Sequence, residues 1–179
     1  MKEKDESLSP LDAAGWMALP VGMMWSASFL CTMYGTGNPL LSVLGTALAI
    51  ISVYMLYRQL TNYRRLYPHT TWGGIFRLSL LTCLLAGLLT DAAQYLYFAF
   101  LDDGRLLSDV LDPAMQSEEY REVWQQLMPG TDMEEVQRMM QSMTVQDIML
   151  QLVIYNILLA CPISLIAALP VRKPMKTEQ

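Results

Sequence analysis

From Ala13 to Tyr57 the chain carries no Asp, Glu, Lys or Arg. A surface helix needs a polar face, and no helix drawn from this run would present one to water. Apolar positions gather instead into four long stretches, Ala13–Tyr34, Pro39–Tyr57, Gly74–Leu101 and Val145–Leu169. A hydrocarbon core about 30 Å thick takes about 20 helical residues to cross, and each stretch reaches that length. The pattern predicts an all-α fold, an integral membrane bundle of four transmembrane helices.

Between the third and fourth stretches the pattern turns amphipathic. Asp112-Pro113 has the form of a helix start, with Asp as N-cap and Pro at the first helical position. Tyr120, Val123, Trp124, Leu127 and Met128 then recur at helical spacing, and Pro129-Gly130 stops them. Thr131-x-x-Glu134 reads as a capping box opening a second helix, with Met133, Val136, Met139, Met140 and Met143 in one stripe. Thr144-x-x-Asp147 repeats the box before the fourth span. Two short amphipathic helices outside the membrane are expected. Their acidic faces disfavour electrostatic binding to anionic lipid, so they should pack on each other, over the mouth of the bundle, or against a partner.

Charge then sets the threading. Arg58, Arg64, Arg65 and Arg77 lie between or just inside spans two and three with no acidic residue among them, and Arg172, Lys173 and Lys176 follow span four. Positive charge marks the cytoplasmic side, which places both termini in the cytoplasm. The segment Asp102–Asp147, on the other side, holds 11 acidic residues against three arginines, a formal balance of −8. Tyr54, Tyr57, Tyr63, Tyr67 and Trp72 should line the inner interface, and Tyr95, Tyr97, Phe98 and Phe100 the outer one. The chain divides into a cytoplasmic head, 1–12; spans one to three, 13–101, with a basic inner loop, 58–73; an acidic, Met-rich outer segment, 102–144; span four, 145–170; and a basic cytoplasmic tail, 171–179. The first span follows an acidic head and runs almost directly into the second, so it reads as retained rather than as a signal peptide.

Composition agrees: 53% of the 179 residues are hydrophobic and the mean hydropathy is +0.27. Cys31, Cys83 and Cys161 all fall within spans and show no CxxC spacing, which argues against a disulfide framework or a zinc site. With His69 as the single histidine, most acid–base and metal schemes drop out. HExxH, GxSxG, P-loop and Gly-rich fingerprints are missing too. The Met stripe could offer thioethers to Cu(I), but Met at helical spacing is ordinary packing material. No cofactor or metal is expected, and no enzymatic activity. Nucleic acid has no basic surface to bind beyond the inner arginines.

Polar residues inside the spans are the remaining candidates. Asp91 is the one acidic residue well within a span, and a carboxylate there costs about 2.5–3.5 kcal/mol on insertion scales, which makes it a functional candidate by default. Gln94 lies one turn further on, and Asn156 sits at a matching depth in span four. Ser26, Ser28 and Thr46 fall near the same level. The cluster reads either as a proton or ion site or as a structural hydrogen-bond group that fixes helix register. Gly22-x-x-x-Ser26 and Gly45-x-x-x-Ala49 permit close backbone approach, within one monomer or between copies of a homo-oligomer. Pro20 and Pro162 should kink their spans.

Three stretches together resemble a known family: Tyr54-Met-Leu-Tyr-Arg58, Asn62-Tyr-Arg-Arg65 and Thr71-Trp-Gly-Gly-Ile-Phe76, with Pro162-Ile-Ser-Leu-Ile-Ala-Ala168 and Arg172-Lys173 at the end. They are similar to the bacterial membrane family known as domain of unknown function forty-one ninety-nine. The resemblance implies four spans, a basic inner loop entering a Gly-containing third span, and residence in the bacterial inner membrane. By genomic association it also implies an envelope partner such as a membrane glycosyltransferase. The Met-rich outer helices and Asp91 depart from the family pattern.

Two functions follow as expectations. The first is a non-enzymatic accessory or scaffold subunit, offering Trp124 and Leu127 on the outer cap, or Arg58, Arg64 and Arg65 on the inner loop, to a partner or to lipid headgroups. The alternative is a small channel or ion-coupled carrier that uses Asp91, Gln94 and Asn156.

Overall fold

A computed structural model describes residues 9–35, 38–102 and 142–172, with isolated positions at 117, 118, 122, 123, 126 and 138. Four long helices make up the described chain: α1 (Pro10–Tyr34), α2 (Pro39–Leu66), α3 (Trp72–Phe100) and α4 (Val145–Ala168), closed by a 3-10 turn at Pro170–Arg172. All four are long and apolar enough to cross a membrane, and no strand occurs among the described residues. The expected outer helices, with Asp112, Trp124, Leu127 and the Met stripe, lie largely outside the described residues.

Helix starts follow local chemistry. Ser9 caps α1 by accepting from the Asp12 amide at 3.1 Å, and Pro10 occupies the first helical position, where its missing N–H goes unneeded. Asn38 and Pro39 repeat the arrangement on α2. Thr71 caps α3 through the Gly74 amide at 3.2 Å. On α4 the expected box forms in full: the Asp147 amide donates to the Thr144 hydroxyl and the Thr144 amide donates to the Asp147 carboxylate. Helices α1 and α4 run on through Pro20 and Pro162.

The stretch expected as a basic inner loop, 58–73, is helical as far as Leu66 and again from Trp72, so its irregular part is Tyr67–Thr71. Nothing between Arg58 and Leu66 breaks a helix, Arg64 and Arg65 suit the negative end of its dipole, and Pro68 enforces the stop. One expectation is corrected: Tyr97 and Phe98, assigned to an outer girdle, are instead 3% and 7% exposed. They pack with Phe29, whose ring centroid lies 5.4 Å from Tyr97 and 5.9 Å from Phe98. Tyr95 and Phe100 do face outward.

Helix α3 is the centre of the bundle: 44% of its most apolar stretch is buried, against 11% for α4. It packs along α1 on one side and α4 on the other, and α1 packs along α2. The core gathers at the end of the bundle that carries the arginines, called the basic end below. Ala13, Ala14, Ala18 and Val21 of α1 meet there with Leu56 and Leu60 of α2, Ile75 and Leu78 of α3, and Ala167 and Ala168 of α4. Small residues recur because van der Waals packing, rather than hydrophobicity, joins helices in lipid, and it strengthens as backbones approach. The large apolar side chains left exposed, Leu40, Ile50, Leu88, Leu150 and Leu158 among them, form the surface that lipid tails would cover.

Candidate functional site

The side chains that tie helices together are mostly small and polar. The Ser28 hydroxyl donates to the Gly45 carbonyl at 2.7 Å, joining α1 to α2. The Trp25 indole donates to Ser52 at 2.7 Å, and Ser52 in turn donates to the Ala49 carbonyl at 2.6 Å. The Ser79 hydroxyl reaches the Ser164 carbonyl at 3.3 Å, joining α3 to α4. Thr90 donates to Ala86 in its own helix at 2.9 Å and stands 3.5 Å from the Gly22 carbonyl of α1. Of the residues expected near the level of Asp91, Ser26 and Thr46 bond back into their own helices and Ser28 goes to α2, so none of the three joins the acid.

Gly22 and Gly45 are both points of close helix approach within the chain. A Cβ on Gly22 would stand 2.9 Å from Leu89 Cδ2 and 3.0 Å from the Ala86 carbonyl oxygen of α3. One on Gly45 would stand 3.0 Å from the Ser28 carbonyl oxygen of α1. Ala49 is exposed, by contrast.

Asp91 and Asn156 meet. The Asn156 amide of α4 donates to the Asp91 carboxylate of α3. Asp91 is 8% exposed and Gln94, one turn along the same face, 6%. Gln94 does not join the pair, and its Oε1 is buried without a hydrogen-bond partner. The acid and amide line a groove of about 150 Å³ whose other walls, Leu84, Gly87, Leu88, Val153 and Ile157, are apolar. Gly87 lies against α4 there, where an added Cβ would make an ordinary 3.7 Å contact with Asn156 Cβ. Chemically the arrangement is a clamp: a charge-capable acceptor held by an amide across two helices, in surroundings that offer few other partners.

The sequence reading missed the Trp25–Ser52 bond. Depth was the available signal, because Trp25 stands 15 residues in from Pro10 while Ser52 stands 14 back from Leu66, at the same end of antiparallel helices. Among the described residues no group of three His, Cys, Asp or Glu could hold a metal ion. Arg58 and Arg65 are exposed at the basic end and Arg64 is half-buried. Trp124 and Leu127 lie outside the described residues.

The family described as protein of unknown function (DUF4199) matches residues 17–173. The chain belongs to this family. The DUF4199 region starts within α1 and ends one residue past the 3-10 turn, so it takes in both partners of the Asp91–Asn156 clamp and the arginines at the basic end. With its four apolar spans, this DUF4199 chain is a multi-pass membrane protein. No curated protein and no solved structure matches it.

Proposed function

We propose that the chain is a non-enzymatic accessory or scaffold subunit of the bacterial inner membrane. In this reading both termini and the basic end face the cytoplasm. The acidic segment between α3 and α4 forms two short amphipathic helices on the outside, where Trp124 and Leu127 meet a partner such as a membrane glycosyltransferase. Arg58, Arg64 and Arg65 meet anionic headgroups or a cytoplasmic partner.

One observation carries the reading. The acid within the spans is occupied in holding α3 to α4, with an amide as its partner and apolar side chains around both. Its polarity serves assembly, as do the Ser28, Trp25 and Ser79 bonds. Substituting Trp124 or Leu127 should weaken co-purification of a partner while the bundle stays folded; a complex that survives both changes removes the outer cap from the interface.

The second reading, an ion-coupled carrier, draws on the unpartnered Gln94 Oε1 beside Asp91, an acceptor free to take a donor during transport. It predicts that Asp91→Asn abolishes a pH-dependent flux into liposomes. Unchanged flux takes Asp91 out of that role.

A further inference from the structure

At the basic end α1 and α2 flank a pocket of about 340 Å³. Trp16 and Leu66 give it an apolar rim; Gln59, Asn62, Tyr63 and Tyr67 give it a polar wall. The Tyr63 and Tyr67 rings meet at a tilt of 39° with centroids 4.7 Å apart. Trp and Tyr are the residues that settle where hydrocarbon meets headgroups, so the pocket straddles that boundary.

Three features define what fits. First, Arg58 and Arg65 stand one turn either side of Asn62 on the same helix face, and both are exposed. Neither has a carboxylate nearby in sequence, as no acidic residue lies from Ala13 to Thr90. Second, the same end holds surplus donors: Arg64 Nη1 and Trp72 Nε1 are buried without hydrogen-bond partners. Third, the Gln59 Oε1, on a residue of the pocket wall, is a buried acceptor without a donor. A buried polar atom left unpaired is uncommon in folded proteins and points to a missing partner. The fitting ligand is therefore negatively charged and rich in acceptors, with at least one hydroxyl donor and an apolar tail to lie along Trp16.

We infer that this pocket binds a single anionic phospholipid with a hydroxyl-bearing headgroup, of the phosphatidylglycerol type. The phosphodiester lies between Arg58 and Arg65 over Asn62, a headgroup hydroxyl folds back to donate to Gln59, and an acyl chain passes Trp16 toward the bilayer centre. The inference rests on the reading that the basic end meets anionic headgroups and narrows it from a diffuse belt to one built site.

The test uses the purified full-length chain, stripped of lipid in detergent and then offered phosphatidylglycerol, phosphatidylmethanol or phosphatidylcholine, with retention counted by native mass spectrometry. Phosphatidylmethanol keeps the anionic diester but has no headgroup hydroxyl. One retained phosphatidylglycerol per chain is expected, in preference to both other lipids. Arg58→Gln with Arg65→Gln should lower its retention by about tenfold or more, from about 1 kcal/mol per basic residue at a membrane surface. Arg77→Gln, at an exposed arginine on α3 rather than on the helix that carries Asn62, should leave it unchanged. Gln59→Leu should erase the preference over phosphatidylmethanol while keeping that over phosphatidylcholine, a loss that general misfolding would not produce. Equal retention of both anionic lipids, or an Arg77→Gln loss as large as the double variant's, would overturn the pocket and leave a diffuse basic belt, with the accessory reading intact. Displacement of the lipid by inorganic phosphate as readily as by phosphatidylglycerol would overturn the lipid assignment. Retention of no lipid at all would remove the headgroup reading together with the pocket.

Discussion

Asn156→Leu should destabilise the bundle more than Asp91→Leu, although aspartate is the costlier residue in a membrane. Removing Asn156 deletes an interhelical bond, which averages about 0.6 kcal/mol in membranes and reaches about 1.7. It also leaves the Asp91 carboxylate, 8% exposed, among apolar walls without its donor, a penalty of about 1–3 kcal/mol for a buried polar group. Together these come to about 2 kcal/mol, or about a thirtyfold shift in the folded-to-unfolded ratio. Asp91→Leu loses the same bond but also removes a carboxylate that costs about 2.5–3.5 kcal/mol to keep in the spans. Its net effect should be near zero or stabilising, and the double variant should match it. The groove of about 150 Å³ beside the pair has room for the larger leucine side chains. Equilibrium unfolding in mixed micelles of mild detergent and dodecyl sulfate, followed by circular dichroism, measures all three. The reasoning fails if Asn156→Leu falls within about 0.5 kcal/mol of the parent, the range of inconsequential surface changes, or if the two single losses simply add in the double variant.

The glycines give a matched pair of expectations. Gly22→Ala should cost about 1–3 kcal/mol as an overpacked contact, because the Ala86 carbonyl 3.0 Å from the new methyl is backbone and cannot swing aside. Gly87→Ala should be neutral or stabilising by up to about 1 kcal/mol, its methyl making an ordinary 3.7 Å contact; the same unfolding titration ranks them, and the reverse order would contradict the packing described. Trp25→Phe should lower stability by about 1 kcal/mol and Ser52→Ala by a similar amount, with no further loss on combining them. Additive losses would mean the indole–hydroxyl bond contributes nothing. Thr144→Ala should speed amide exchange in the first turn of α4 and leave the rest of that helix unchanged; exchange that rises along all of α4 would show that the capping box holds more than its own turn.

The membrane character and most span limits were legible because a charge-free run has no alternative home, and the Thr144-x-x-Asp147 box marked the start of α4. The end of α2 was not, since hydropathy falls at Arg58 while helix propensity carries on to Leu66. Interface aromatics were misjudged for a related reason. Tyr97 and Phe98 are identical in hydropathy terms to Tyr95 and Phe100, and only the angle around α3 decides that the first two face Phe29. Depth matching pairs Asp91 with Asn156; Trp25 and Ser52 also match in depth, but neither carries a charge to single it out within an apolar span. Gln94 shares a face with Asp91 without sharing its hydrogen bond to Asn156. The pocket at the basic end needed three dimensions: α1 contributes Trp16, from a span that reads as uniformly apolar, to a wall of amides and phenols on α2.

Whether the chain serves a partner is tested most directly by gentle-detergent purification of the tagged protein from its native membrane after crosslinking, with mass spectrometry of what is attached. The accessory reading predicts a second membrane protein in stoichiometric amount, crosslinked to the segment between α3 and α4 or to the arginine-bearing end of α2. Recovery of the chain alone or joined only to its own copies, together with a flux lost in Asp91→Asn, would contradict it and make the groove between α3 and α4 the working part of the molecule.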